Sequence, residues 1–577
     1  MCLINASLKN GGDLASITAV ICRQKRMGSI ISQQMRSLSK TACGFLSLIL
    51  ATSMSAASPA PAGPKKKTKK TPAATIQHAE IIQAPHSDIL SVTTSSSEAR
   101  GLYEAGIHTW EVLQIDSALK RWRTAINVDP HFALAHLLLS YCTPDPVEEQ
   151  VERQKAKSLG NDVTPGERLL ITWLSGVREN DYLSGIVAMN ELLQQYPKDK
   201  QLLLWAGSWL FHEKEYELAQ KRLEEAVVID ANFAPALNDL SYVYAYQGDY
   251  KQALGVMQHY VELLPNEPNP QDSYAEMLRM AGRYDDALEH YRAALRIDPN
   301  FHSSQLGIAD TYSLMGQQKK ARQEYFNARV LATDKATELQ DVLQSAFTYV
   351  RDRDSLGADQ AFEGVAQQAH RAAVPVIEAE AWRMRARLQF ISTSADLVGI
   401  DSSHAGKHFP LIHRKHLQRP ELEYLSRADQ MLKEAKAISE SDRQQEYALL
   451  LRERAEAAGS RGLFAEADAA VAQLDAMASD SPSSAIQHAL NGAKGAVLVY
   501  EGNYDQAVPL LERDNENAFS LFRLAYSGQK NGSGQVAQAP LATTRAFKEP
   551  TPEQAFFAPA VELASASKAE HLTTGRE

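Results

Sequence analysis

The chain has 577 residues, 44% of them apolar and 23% charged, with a formal net charge of −10. An acidic balance of this size offers no general attraction to nucleic acid, so no nucleic-acid partner is expected. The length would suggest several globular domains, but it also suits one long repeat array, which grows along a single axis.

Residues 1–57 read as an upstream extension followed by a secretory signal peptide. Met35-Arg36 through Lys40 is a short basic start, Ala42 to Ala51 is an apolar run, and Ser55-Ala56-Ala57 supplies small residues for cleavage. The apolar run is too short for a membrane span. Export to the periplasm or the extracellular space is therefore expected, with Met1, Met27 and Met35 all open as the true start. Cys2, Cys22 and Cys43 fall in the removed part, which leaves Cys142 and no internal disulfide. Residues 58–97 begin SPAPAGPKKKTKKTPAAT and read as a disordered Pro/Ala/Lys-rich linker.

The helical array is expected over residues 98–335. Its opening unit carries Gly106, Ala118, Trp122, Ala125 and Pro130, and a divergent unit follows with helices at Phe132 to Tyr141 and Val147 to Ser158. Thr164-Pro165-Gly166-Glu167 predicts a capping box with Pro at the first helical position. From Gln201 to Arg329 the pattern is strict: Ala219, Ala253, Ala287 and Ala321 recur every 34 residues. Each follows a turn, which holds Gly248, Gly282 and Gly316 in three units and Lys214-Glu215-Tyr216 in the other. Four positions after each Ala comes a bulky residue (Leu223, Met257, Tyr291, Tyr325), and three further on Ala226, Tyr260, Ala294 and Ala328. Positions i, i+4 and i+7 share a helix face, so the Ala lets a neighbouring backbone approach while the bulky residue fills the space beside it.

This grammar resembles the tetratricopeptide repeat family. The resemblance implies an all-α fold, a right-handed α-solenoid of tandem helix-turn-helix repeats. First helices then line a concave groove, and Ala219, Ala253, Ala287 and Ala321 are repeat-packing residues. With the key Ala taken as the twentieth of its unit, the family's groove positions are the second, fifth, ninth, twelfth and thirteenth. They include Leu204, Phe211, Asn238, Tyr242, Tyr246, Asp272, Glu276 and Arg279, which form the expected partner-binding wall. The family's carboxylate-clamp set of Lys and Asn is missing, so the wall is expected to offer aromatic and amide character, grading into charge, to an extended or helical segment of a protein or peptide partner with apolar anchors.

Residues 336–530 keep a looser form of the pattern. Helices are expected at Thr337 to Tyr349, Gly357 to Ala372, Ile377 to Phe390, Pro420 to Ser439, Arg443 to Ala458, Phe464 to Met477, Ala485 to Tyr500, Tyr504 to Leu511 and Ala518 to Ala525. A His-rich insertion at 392–419 interrupts them with His404, His408, His413 and His416. Four imidazoles could ligate zinc or copper, but their spacing matches no familiar site and no carboxylate or Cys lies among them. A basic, pH-sensitive surface loop is the reading adopted, with a metal site as the alternative. Residues 531–577 read as a flexible tail, in which Pro552 to Ala564 could form a short capping helix.

Catalytic motifs fail at identifiable residues. His212-Glu213-Lys214-Glu215-Tyr216 has Tyr where a zinc protease needs its second His, and Ala405-Gly406-Lys407-His408 lacks the leading Gly and the Ser or Thr of a phosphate loop. The functional expectation is an exported, non-catalytic scaffold without a cofactor, of open oligomeric state, that binds a protein or peptide. A metal-handling envelope protein built on the His insertion and a structural subunit of an envelope assembly are the alternatives.

Overall fold

A computed structural model describes residues 88–393, 419–531 and 550–556, apart from positions 112, 113, 144, 180, 437, 439, 482, 515 and 516. The expected signal peptide, most of the linker and the four His of the insertion lie outside the described residues. Those that are described form helices in tandem antiparallel pairs, an α-solenoid without strands. The first pairs are α1 (Ser97–Glu111) with α2 (Ile115–Val128), α3 (Ala133–Cys142) with α4 (Pro146–Ser158), and α5 (Pro165–Arg178) with α6 (Tyr182–Gln195). The strict repeats are α7 (Lys200–His212) with α8 (Tyr216–Ile229), α9 (Ala234–Tyr246) with α10 (Tyr250–Leu263), α11 (Pro268–Met280) with α12 (Tyr284–Ile297), and α13 (His302–Leu314) with α14 (Gln318–Val330). Longer helices follow: α15 (Lys335–Arg351), α16 (Ser355–Arg371), α17 (Pro375–Thr393), α18 (Pro420–Glu434), α19 (Glu440–Ser460), α20 (Phe464–Asp480) and α21 (Ser484–Glu501). The array ends with α22 (Tyr504–Glu512) and α23 (Ala518–Lys530), and a short helical turn stands apart at 552–556.

The small residues sit at the helix crossings. Ala219, Ala253, Ala287 and Ala321 are fully buried, as are Leu223, Met257 and Tyr291 beside them. A second small position lies in the first helix, twelve residues before the key Ala. A Cβ built on Gly207 would meet Leu223 at 2.6 Å, and one on Gly495 would meet Leu511 at 2.6 Å. Gly106 bears the same relation to Trp122, so one contact recurs from the first unit to the last full one.

The turns between paired helices need a left-handed residue. Gly248, Gly282 and Gly316 provide it with φ of 83°, 79° and 76°, and Lys214 must adopt φ 65° in the unit that lacks Gly. Arg353 and Ala373 carry the same strain at the turns after α15 and α16.

Thr164 and Glu167 form the expected reciprocal capping box, with Pro165 at the start of α5. Two other expectations need correction. The last first helix does not stop at Ala525, since α23 runs on through Lys530. Residues 88–96, read as the end of a linker, are a strap bonded to carboxylates at the ends of three helices. Leu90 N donates to Asp199 (3.0 Å), Thr93 N to Glu167 (2.6 Å) and Thr94 Oγ1 to Asp129 (2.6 Å). Asp199 and Glu167, which cap α7 and α5, thus also hold the strap together with Asp129 at the end of α2, a pairing with no periodic trace in the sequence.

Candidate functional site

The wall expected from first-helix positions is the candidate site. Leu204 and Phe211 come from α7, Asn238, Tyr242 and Tyr246 from α9, and Asp272, Glu276 and Arg279 from α11. All eight are buried, with Tyr242 and Tyr246 only 7% and 8% exposed. Phe211 packs edge-on against Tyr246 with ring centroids 5.1 Å apart, and Tyr216 stacks on the same Tyr246 at 6.2 Å.

The polar members form a ladder that runs from one first helix to the next. Ser208 of α7 donates to Asp239 of α9, and Tyr242 Oη donates to Glu276 of α11 at 2.7 Å. Ser304 of α13 donates to Asp272 at 2.6 Å, and Arg279 bridges Glu276 (3.0 Å) and Asp310 (3.8 Å). Tyr325 Oη donates to Asp310 at 2.6 Å, and His302 pairs with Asp341 of α15 at 2.7 Å. Each rung satisfies a polar group that burial would otherwise leave costly, and several of them join consecutive repeats. The wall residues therefore bind the array together. Truncating Tyr242 or Tyr246 to Ala would remove this packing as well as any partner contact, whereas an aromatic replacement keeps the ring in place.

A second polar assembly, absent from the sequence reading, lies between the later first helices. Glu456 of α19 accepts from Arg387 (3.4 Å), Arg452 (3.0 Å) and Arg523 (3.1 Å). Arg387 and Arg383 of α17 share Glu453 at 3.0 and 3.1 Å, and Arg383 also reaches Glu446 at 3.2 Å. Arg452 donates to Asp514 at 2.6 Å, where Ser520 and His488 also converge. Burial alone would raise the Glu456 carboxyl, but Arg523, Arg387 and Arg452 hold it well below the usual carboxylate range. Asp514 follows the same logic, with burial opposed by Arg452 and His488. Four arginines face Glu446, Glu453, Glu456 and Asp514 here, with Glu553 also close to Arg387 and Arg452, so the assembly carries no surplus positive charge to attract an anion. Its cavity, about 10 Å³ beside Arg387, Glu421 and Glu456, is small.

Remaining candidates add little chemistry. Cys142 is buried, and burial pushes its thiol up, away from nucleophilic behaviour. A cleft of about 530 Å³ between the strap, α1 and α7 is lined by Leu90, Ile107, Leu134 and Trp205 with Lys200 at its rim. Among the described residues no group of three His, Cys, Asp or Glu could hold a metal, and no helix is long and apolar enough to cross a membrane.

Residues 278–343, from the end of α11 into α15, match the family model described as tetratricopeptide repeat. No curated protein matches the chain in sequence. Among solved structures, a tetratricopeptide repeat protein from Parabacteroides merdae is 15% identical, with 50% of this chain and 99% of that one covered and a TM-score of 0.31. A thermophilic protein of the same repeat type from Thermus thermophilus is 17% identical over 37% of this chain and 98% of its own, with a TM-score of 0.25. PilF of Pseudomonas aeruginosa is 15% identical over 42% and 96%, also with a TM-score of 0.25. With a 34-residue period, paired helices crossing at small residues and a family match over residues 278–343 in their midst, the array is similar to the tetratricopeptide repeat family.

Proposed function

We propose that this protein is an exported, non-catalytic scaffold that binds a protein or peptide partner through the concave face of its first helices. The observation that carries the reading is the run of consecutive first helices α7, α9, α11 and α13. They carry aromatic, amide and charged groups at equivalent positions of successive repeats, while the second helices carry exposed apolar residues such as Val228. A solenoid of this kind offers an extended surface, and a segment lying along it would meet several repeats at once. Leu204, Phe211, Asn238, Tyr242, Tyr246, Asp272, Glu276 and Arg279 remain the proposed wall, with the added role of joining repeats. Export rests on the order of basic, apolar and small residues from Met35 to Ala57.

A photoreactive side chain placed at Tyr246, with a control at Val228 (86% exposed) on the outer face, tests the groove in cells. A protein adduct formed from position 246 and absent from 228 is the expected result. Adducts from position 228 alone would move recognition to the convex face. Amino-terminal sequencing of the cell-derived protein tests export, with a mature start near Ser58 expected and an intact Met1 or Met35 contradicting it.

A further inference from the structure

Residues 550–556 (PTPEQAF) lie against the first helices of the later repeats, some 200 positions away in sequence from the residues that hold them. Their main chain is read directly. Gln344 Nε2 donates to the carbonyl of Pro550 at 2.7 Å, and Arg351 Nη2 donates to the carbonyl of Thr551 at 3.4 Å. Two side chains are selected as well. Arg351 forks onto Gln554 Oε1 through Nε (3.0 Å) and Nη2 (2.8 Å), and Phe556 stands edge-on to Phe347 with centroids 6.2 Å apart. Ala555 and Phe556 are buried in the cluster that also holds Leu343, Phe519 and Phe522.

The receptor groups Gln344, Phe347 and Arg351 fall at i, i+3 and i+7 of α15, one stripe on one face of a helix. With Ala358 taken as the twentieth residue of its unit, Phe347 and Arg351 are the ninth and thirteenth, two of the groove positions used above for α7, α9 and α11. The segment therefore occupies the place that a partner peptide would take. Main-chain carbonyls met by long polar side chains, followed by one aromatic anchor in an apolar seat, are the marks of peptide recognition. The expected cap has a different geometry, since it would cover only the open face of the final repeat. This segment instead reaches back to α15, four helix pairs before α23.

We propose that the concave face of α15, with α17 and α23 beside it, is a peptide-recognition groove that residues 550–556 fill as a ligand in cis. A partner enters by presenting the same chemistry: a glutamine side chain two residues before a phenylalanine, with open carbonyls upstream. The proposal rests on the scaffold reading above and adds regulation to it. Because the occupant is joined to the receptor through residues 532–549, its competition with a partner is intramolecular and independent of protein concentration.

The test uses the full chain and a fluorescent peptide of residues 548–558 (KEPTPEQAFFA) as probe. The double variant Gln554→Ala with Phe556→Ala removes both selected side chains from the cis ligand and leaves the groove intact. This opened chain should bind the probe about tenfold or more tighter than the wild type. Adding Arg351→Ala to the opened chain should weaken binding again by a similar factor. A probe in which Phe556 is replaced by Ala should not bind either chain. Equal, weak binding by wild-type and opened chains with unchanged melting temperatures would overturn the proposal. So would an opened chain that loses helical signal, since the segment would then be part of the core rather than a ligand. Photo-adducts at position 246 do not depend on this groove, so failure here is distinguishable from failure of the scaffold reading.

Discussion

The repeats from α7 to α14 and those from α15 to α23 solve the same packing problem with different means. In the earlier set, second helices of 13 or 14 residues cross at Ala, and buried rungs such as Tyr242–Glu276 join neighbouring first helices. In the later set, α15 to α21 have 15 to 21 residues and a charged assembly centred on Glu456 replaces those rungs. The first arrangement depends on shape and tolerates little added volume. The second depends on charge balance and tolerates little change of ionisation. Small residues at the crossings serve both sets, as Gly495 on Leu511 shows, and both sets bury ion pairs. The strict period goes with the short helices of the earlier set, and the looser one with the longer helices and larger charged assembly of the later set.

Removing the centre of the charged assembly should have the largest effect. Glu456→Gln leaves Arg387, Arg452 and Arg523 short of their common acceptor in a buried site, and the expected loss is about 3–5 kcal/mol. Hydrogen exchange should locate that loss in α17 to α23 and spare α7 to α14. A loss spread evenly over both sets would erase the distinction drawn between them.

Overpacking is the matching insult for the earlier set. Ala253→Leu or Ala287→Leu, each fully buried at a crossing, should cost about 1–3 kcal/mol in a urea titration. The exposed change Val228→Ala should stay within about 0.5 kcal/mol. Unchanged midpoints for the two leucine variants would mean that the crossings have room to spare.

Acid and neutral pH should act on the two ends in opposite directions. Glu456 and Asp514 have depressed carboxyls, so the stability they contribute is fully present above the unfolded values of about 4. It is lost as pH falls through their lower folded values. Glu111 at the end of α1 behaves in the reverse sense. Burial pushes its carboxyl up to about 7, against the pull of Lys200. Its favourable contribution is therefore present below the unfolded value and lost as pH rises through 7. Local opening measured by hydrogen exchange should show α1 becoming firmer from pH 7 to pH 5, while α19 weakens only below about pH 4. Glu111→Gln should abolish the first trend and leave the second.

The smallest effect concerns the turns. Lys214→Gly relieves a left-handed Lys where three later repeats use Gly, and a gain of about 0.5–1 kcal/mol is expected. Gly248→Lys should lose a similar amount, and a reversed order would show that the Lys214 side chain holds its turn by contacts worth more than the strain.

The helix pairs were legible because their signals are local and repeated. Ala219, Ala253, Ala287 and Ala321 with their following bulky residues define the crossings, and the Gly turns separate the helices. Most of the loosely patterned helices from α15 to α23 begin and end within three residues of expectation, whereas α18 stops at Glu434, five short of Ser439, and α23 runs five past Ala525. The wall was legible as a set of positions, and Leu204 through Arg279 do lie on successive first helices. Their burial was not, because exposure of a residue at a groove position depends on how tightly successive first helices approach. No residue within a single repeat reports that distance.

What the sequence by itself determined is the repeating unit: which residues are helical, where each pair turns, and which small residues let two backbones meet. These follow from spacings of 4, 7 and 34 residues, which the stretch from Gln201 to Arg329 displays. The tertiary structure alone decided three further things. It drew the strap at 88–96 onto Asp129, Glu167 and Asp199, gathered Arg387, Arg452, Arg523, Glu456 and Asp514 from three helices and a loop, and seated Phe556 against Phe347. Each of these joins residues tens to hundreds of positions apart through a charge or a single ring. Such contacts have no period, and only the path of the whole solenoid brings their partners together.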